Sequence, residues 1–224
     1  AQIRRDPVHQ RHAMTTVLVD YDSGNLHSAQ KAFERMARET GGGTIAVTSD
    51  PDVVARADRI VLPGDGAFPS CRAALGAANG LAQAITEAVE NRGIPFLGIC
   101  VGMQMLFDSS EEDPGVSGLG IIPGSVQWLP ETVQRPQMQW NQLTITTNDH
   151  LFDGLGDHPW MYFVHSLHGV PTTSSDTAAT VEYGCTVNVA FRHDNVFATQ
   201  FHPEKSATAG LRLLENFVKS VAAA

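Results

Sequence analysis

The chain has 224 residues, 42% of them hydrophobic and 17% charged. That is long and apolar enough to bury a sizeable core, which excludes intrinsic disorder, and 20 glycines and 12 prolines are too scattered for a low-complexity chain. Fifteen basic residues against 24 acidic ones leave a net charge of −9; such a surface repels phosphate backbones, so no nucleic-acid partner is expected.

Residues 1–13 are polar and patternless, with no apolar stretch of the signal-peptide kind, and are expected to be a tag-like or disordered extension. One domain is expected over 14–224. Thr16–Asp20 is a short β-branched run, read as a buried strand. After the turn at Ser23-Gly24, apolar residues Leu26, Ala29, Phe33 and Met36 recur at helical spacing up to Gly41–Gly43. Thr44–Thr48 is a second strand, and Asp50-Pro51 then supplies an N-cap with proline in the first turn. Arg59–Leu62 is a third strand, ending in Pro63-Gly64-Asp65-Gly66. Leu81, Ile85, Ala88 and Val89 mark an amphipathic helix stopped by Gly93. Pro95–Ile99 is a fourth strand, followed at once by Cys100 and a helix expected over Val101–Phe107.

The second half changes character. Ile121–Trp128, Leu143–Thr147, Trp160–Val164, Ala179–Tyr183, Val187–Phe191 and Val196–Phe201 read as strands with few helices between them, and Arg192–Asn195 as a hairpin loop. Leu211, Leu214, Phe217, Val218 and Val221 form a closing helix. Alternating strands and helices imply a parallel sheet covered on both faces. The expected fold is therefore α/β: a flavodoxin-like three-layer domain with a central, mostly parallel sheet and antiparallel additions in the C-terminal half. The longest apolar stretch, Ile94–Phe107, is interrupted and shorter than the roughly 18 residues of a membrane span, so no membrane partner is expected. Three widely spaced cysteines, Cys71, Cys100 and Cys185, make neither a disulfide framework nor a zinc site, and suit a reducing cytoplasm.

The sharpest feature is Gly98-Ile99-Cys100-Val101-Gly102 at a strand-to-helix junction. A nucleophile there sits on a tight turn, and the flanking glycines let backbone and substrate approach. The first N–H groups of the following helix and its dipole favour the thiolate, the reactive form. The bland alternative is a small buried residue, which stands for Cys71 and Cys185. A thiolate attacking a carbonyl needs an acid for the leaving group. His202 ends the last strand in Gln200-Phe201-His202-Pro203-Glu204, and residues two apart in extended chain face the same side, so Glu204 can fix the imidazole. Alone, this segment reads equally as a polar surface turn; no third ligand shares the spacing, so no metal is expected. Pro63-Gly64-Asp65-Gly66 lies on the same carboxyl edge of the sheet as Cys100, where ligand sites gather. Its backbone can serve an oxyanion together with the Val101 N–H, though a plain turn fits the segment nearly as well. Trp140 taken alone suits packing, His165 a structural histidine, and Gln104 a solvated position one turn after Cys100.

Together these segments resemble the class I glutamine amidotransferases, from Met14 nearly to the end. The motifs, in the family's order, are Asp20-Tyr21-Asp22-Ser23-Gly24-Asn25-Leu26, Pro63-Gly64-Asp65-Gly66-Ala67-Phe68, Gly98-Ile99-Cys100-Val101-Gly102-Met103-Gln104, Trp140-Asn141, Tyr162-Phe163-Val164-His165-Ser166 and Gln200-Phe201-His202-Pro203-Glu204-Lys205-Ser206. The resemblance implies hydrolysis of L-glutamine with Cys100 as nucleophile, His202 as acid and base, and Glu204 as its orienter. It also implies an oxyanion hole at Asp65, Gly66 and Val101, and a substrate pocket at Gln104, Ser166 and Leu167. A (β/α)₈ cyclase subunit would receive the ammonia across a surface including Trp140, Asn141 and Lys205, and no cofactor is implied. Asp22, Gln139 and Leu167-His168 depart from the family's pattern and touch the interface and pocket rather than the triad. The competing readings are a glutaminase serving anthranilate, guanylate or carbamoyl phosphate synthesis, a free-standing cysteine hydrolase or peptidase, and a non-enzymatic module that kept the fold. The last is disfavoured because a module needs none of the three triad residues.

Overall fold

The computed structural model of the chain describes residues 14–22 and 26–222. The expected extension over 1–13 and the Ser23-Gly24-Asn25 turn lie outside the described residues. The first half alternates as the apolar runs dictate: β1 (Thr15–Val19), α1 (Leu26–Thr40), β2 (Thr44–Thr48), α2 (Pro51–Ala55) and β3 (Arg59–Leu62). Then come α3 (Phe68–Ala77), α4 (Leu81–Thr86), β4 (Phe96–Ile99) and α5 (Val101–Gln104). The second half holds β5 (Phe107–Ser110), β6 (Ile122–Trp128), β7 (Gln137–Gln142), β8 (Thr144–Ile145), β9 (Trp160–His165) and β10 (Leu167–Pro171). It closes with β11 (Thr177–Glu182), β12 (Thr186–His193), β13 (Val196–Thr199) and α6 (Ala207–Lys219).

Eight strands form the main sheet in the order β2-β1-β3-β4-β13-β12-β11-β8. The β1–β2, β1–β3, β3–β4 and β4–β13 pairs are parallel; from β13 outward the pairs are antiparallel. Every residue of β3 and β4 is buried, as central parallel strands between helical layers require. Asp50 caps α2 by accepting from the Asp52 N–H at 2.9 Å. Helices α1 and α6 pack together through an edge-to-face contact of Phe33 and Phe217, with centroids 6.1 Å apart. A three-stranded sheet, β10-β6-β5, and a two-stranded ribbon, β7-β9, carry the remaining strands.

Several expected elements are corrected. The helix expected over Val101–Phe107 ends at Gln104, and the chain then becomes β5. The Leu106 carbonyl accepts from Ile121 and Ile122 N–H, and the Met105 carbonyl from Leu119, so tertiary partners replace the helical ladder. Met103–Phe107 is buried throughout, and a wholly apolar run carries no period by which to tell helix from strand. The strand expected over Leu143–Thr147 shrinks to β8, preceded by the unforeseen β7, whose polar sequence QMQWNQ hides a strand. Helix α3 and strand β10 were likewise not expected. The strand expected to Phe201 stops at Thr199, and the chain turns there toward Cys100.

Candidate active site

The register of β13 on β4 builds the site. Val196 pairs with Phe96 and Thr199 with Ile99, and the Cys100 N–H donates to the Thr199 carbonyl at 2.8 Å. This brings Gln200 beside Cys100, with His202 just beyond. Cys100 adopts φ +54°, uncommon for a residue with a side chain, on the turn between β4 and α5. The flanking glycines are needed for packing rather than for φ. A Cβ on Gly102 would meet the Leu62 carbonyl oxygen at 1.9 Å, and one on Gly98 would meet the Met103 Cα at 2.9 Å. Helix α5 is a single turn, so its dipole is smaller than the expected longer helix would give.

His202 is buried in the turn after β13, and its Nδ1 lies 2.8 Å from Glu204 Oε1. Its Nε2 has no hydrogen-bond partner among the described residues, and Cys100 lies near enough to act on the charge of the ring. Burial disfavours the imidazolium, but the nearby Cys100 sulfur and the hydrogen-bonded Glu204 carboxylate outweigh it and push the imidazole up to about 10. Folding thus strengthens the histidine's hold on its proton relative to the ordinary 6.5. The resulting stability is complete below pH 6.5 and is lost as pH rises through about 10. The melting-temperature advantage of the native chain over His202→Gln should therefore shrink steadily from pH 7 to pH 10. A gap that stays constant across that range would contradict the pairing.

Gln104, which taken alone suits a solvated position, is buried, and its Nε2 donates to Gln200 Oε1 at 3.1 Å. Gln200 in turn directs its Nε2 at Cys100 Sγ, 3.6 Å away. Gly64 packs directly on the α5 start, where a Cβ would lie 2.4 Å from the Gly102 nitrogen; Asp65 and Gly66 follow at the surface. Two side chains to which the sequence analysis gave no role at the bend hold it. Tyr21 donates its hydroxyl to the Pro63 carbonyl at 2.6 Å, and Cys71 Sγ donates to the Asp65 carbonyl at 3.3 Å.

The remaining expected residues lie farther along. Ser166 is the bend between β9 and β10, its carbonyl accepting from Leu129 N–H at 2.9 Å, and the Leu167 side chain is buried. His165 is buried and, chiefly through desolvation, lowered to about 4, so it is neutral. Its Nδ1 donates to the Leu167 carbonyl at 2.7 Å, which makes Nε2 an acceptor. The Gln137 amide 3.0 Å from Nε2 must therefore present its amino group there, which also gives that buried group its partner. Trp140 stands exposed on β7, Asn141 donates to the Glu182 carbonyl at 3.0 Å, and Lys205 closes the short turn Pro203–Lys205.

A buried cysteine on a strained strand-to-helix turn, near a histidine oriented by a carboxylate, is an arrangement that can carry out thiol-dependent acyl transfer. The sequence matches the family Glutamine amidotransferase class-I over residues 18–221. The chain belongs to that family. It is 51% identical over 210 residues to the imidazole glycerol phosphate synthase subunit HisH of Ruegeria pomeroyi, covering 92% of this chain and 98% of that protein. It is 50% identical to the subunit HisH of Cereibacter sphaeroides, with the same coverage. A crystal structure of a glutamine amidotransferase shares the fold, with a TM-score of 0.70 at 19% identity, over 91% of this chain and 97% of that one.

Proposed function

We propose that the chain is the glutaminase subunit of imidazole glycerol phosphate synthase, hydrolysing L-glutamine to glutamate and ammonia and supplying the ammonia for histidine biosynthesis. The observation that carries the chemistry is the Cys100–His202–Glu204 alignment at the end of the parallel sheet. The Cys100 thiolate attacks the side-chain carboxamide, forming the carbon–sulfur bond, and backbone N–H groups at Val101 and the Asp65-Gly66 bend steady the tetrahedral oxyanion. His202 passes its proton to the amide nitrogen as the carbon–nitrogen bond breaks and ammonia leaves. Water then attacks the γ-glutamyl thioester with His202 as base, releasing glutamate and restoring the thiol. Gln104, Ser166 and Leu167 line the way to the glutamine. The free thiols suit a reducing cytoplasm, and among the described residues no helix is long and apolar enough to cross a membrane.

Ammonia released to water becomes ammonium and is no longer a nucleophile, so a receiving subunit must dock beside the site. The ribbon supports a surface for this cyclase subunit. Met138, Trp140 and Tyr162 lie on one face of β7-β9 with Trp160, and Met138, Trp140 and Trp160 are 62%, 44% and 52% exposed. Scattered apolar residues mean little, but a face of this kind marks an interaction site. It is also joined to the catalytic turn. The His202 N–H donates to the Tyr162 carbonyl at 3.1 Å, while Ser206 Oγ accepts from Tyr162 N–H at 2.9 Å and donates to the His202 carbonyl at 2.6 Å. Seating a partner on Tyr162 therefore bears on His202 through two short links.

The test is glutaminase activity of the purified chain with and without the cyclase subunit and its nucleotide ligand. The basal rate should be low and rise about tenfold or more in the complex, the scale of an ordinary coupling between two sites. Lys205→Glu should reduce that stimulation more than the basal rate. Full activity in the isolated chain would favour the free-standing hydrolase instead.

A further inference from the structure

We propose that Gln200 is a further catalytic residue, its side-chain NH₂ donating to the Cys100 thiolate while its carbonyl oxygen holds Gln104; this rests on the reading of Cys100 as the nucleophile. Gln200 is fully buried, and a buried amide is tolerated only where both ends find partners. Both partners here belong to the site. Oε1 accepts from Gln104 at 3.1 Å, and Nε2 points at Sγ from 3.6 Å.

The orientation of the amide follows from its neighbours. A thiolate has no hydrogen to give, so only the NH₂ end can face it favourably. Reversing the amide would set its oxygen against the sulfur and its amino group against that of Gln104, losing both bonds. The backbone holds this placement. The Gln200 N–H donates to the Val189 carbonyl at 2.8 Å, and the preceding Thr199 carbonyl accepts from Cys100 N–H. One end of the residue is thus pinned to the sheet and the other to Gln104.

A donor aimed at the sulfur favours the charged form over the thiol. His202 also lies near the sulfur, but it must give up its proton to the departing ammonia during the reaction. Gln200 never titrates, so its hydrogen bond persists through every protonation state of the histidine. It also links substrate-pocket and nucleophile positions, because any shift of Gln104 moves the amide that faces Sγ.

The test uses the full chain and two variants. Gln200→Met removes the donor at nearly constant volume, and Gln200→Asn keeps an amide that is one methylene too short to reach. The rate of Cys100 alkylation by iodoacetamide at neutral pH is followed by mass mapping of the Cys100 peptide, alongside the ultraviolet thiolate absorbance relative to Cys100→Ser. Loss of a hydrogen bond to a charged group predicts about tenfold slower alkylation and a matching fall in absorbance. A merely structural role would leave the absorbance of the folded protein unchanged. Unchanged rate and absorbance in a folded variant would overturn the proposal, and if Gln200→Met fails to fold, Gln200→Asn decides it. Alkylation needs no glutamine, so slower labelling in the variants would sustain Gln200 even if the native chain proved unable to hydrolyse glutamine.

Discussion

Cys100→Ala is expected to abolish glutamine hydrolysis, by a factor on the order of 10⁶ if the triad acts as a unit. No other cysteine can substitute. Cys71 is buried and gives its thiol hydrogen to the Asp65 carbonyl. Cys185 lies between β11 and β12, which β13 separates from β4 in the sheet. Cys71→Ala and Cys185→Ala should therefore keep activity within a few-fold, with any loss confined to Cys71→Ala through its contact with the bend. A glutamine-like electrophile should label Cys100 alone, followed by peptide mass mapping. Retained hydrolysis in Cys100→Ala, or labelling of Cys71 in its place, would remove the nucleophile assignment altogether.

The parts of this site that were legible in the sequence are those set by local chemistry. The Gly-x-Cys-x-Gly elbow announces itself because a close backbone crossing tolerates only glycine, and the 1.9 Å approach at Gly102 shows why. His202 and Glu204 are two apart in sequence, so their contact is local, although it is made across the short turn Pro203–Lys205 rather than along the extended chain that the sequence suggested. The β-branched strands β1, β2 and β3 carry their own propensity, and Asp50-Pro51 its own cap. What escaped depends on long-range placement. Gln200 stands two residues before His202 in sequence, yet its place beside Cys100 comes from the pairing of β13 with β4, which a single chain does not print. Tyr21 reaches Pro63 across 42 positions, and Ser206 forgoes the usual cap of α6 to bond His202 and Tyr162. Ribbon β7 was invisible for a different reason. Its outward residues Met138 and Trp140 are apolar and its inward Gln137 is polar, the reverse of the pattern that marks a half-buried strand. A strand that turns its apolar side chains outward inverts the rule by which strands are found.

Arg59→Met is expected to produce the largest loss of stability away from the chemistry. Arg59 opens β3, at the end of the strand opposite Pro63 and the site, and its side chain is almost wholly buried. Its Nε donates to Thr16 Oγ1 at 2.9 Å, its Nη1 to the Ser220 carbonyl at 2.8 Å and its Nη2 to the Gly42 carbonyl at 2.6 Å. Those carbonyls follow the C-terminal ends of α6 and α1, where the negative ends of two helix dipoles converge. Burial weakens the hold of the guanidinium on its proton, with Asp58 opposing, but an arginine remains a cation at neutral pH. A buried ion pair can often be replaced by apolar side chains at no cost, because both partners go together. Here the acceptors are backbone and stay behind. Leaving one buried and one part-buried carbonyl unpaired costs about 1–3 kcal/mol each, so the loss should be about 3 kcal/mol. For a chain of this size that lowers the melting temperature by roughly 10 °C. Arg59→Lys should fall between, since one ammonium cannot span three acceptors fixed by a planar fork. Glutaminase activity measured well below the transition should be nearly unchanged, because the substitution lies at the opposite edge of the sheet. A melting temperature of Arg59→Met equal to that of the native chain would mean that the ends of α1 and α6 are held by something other than this guanidinium.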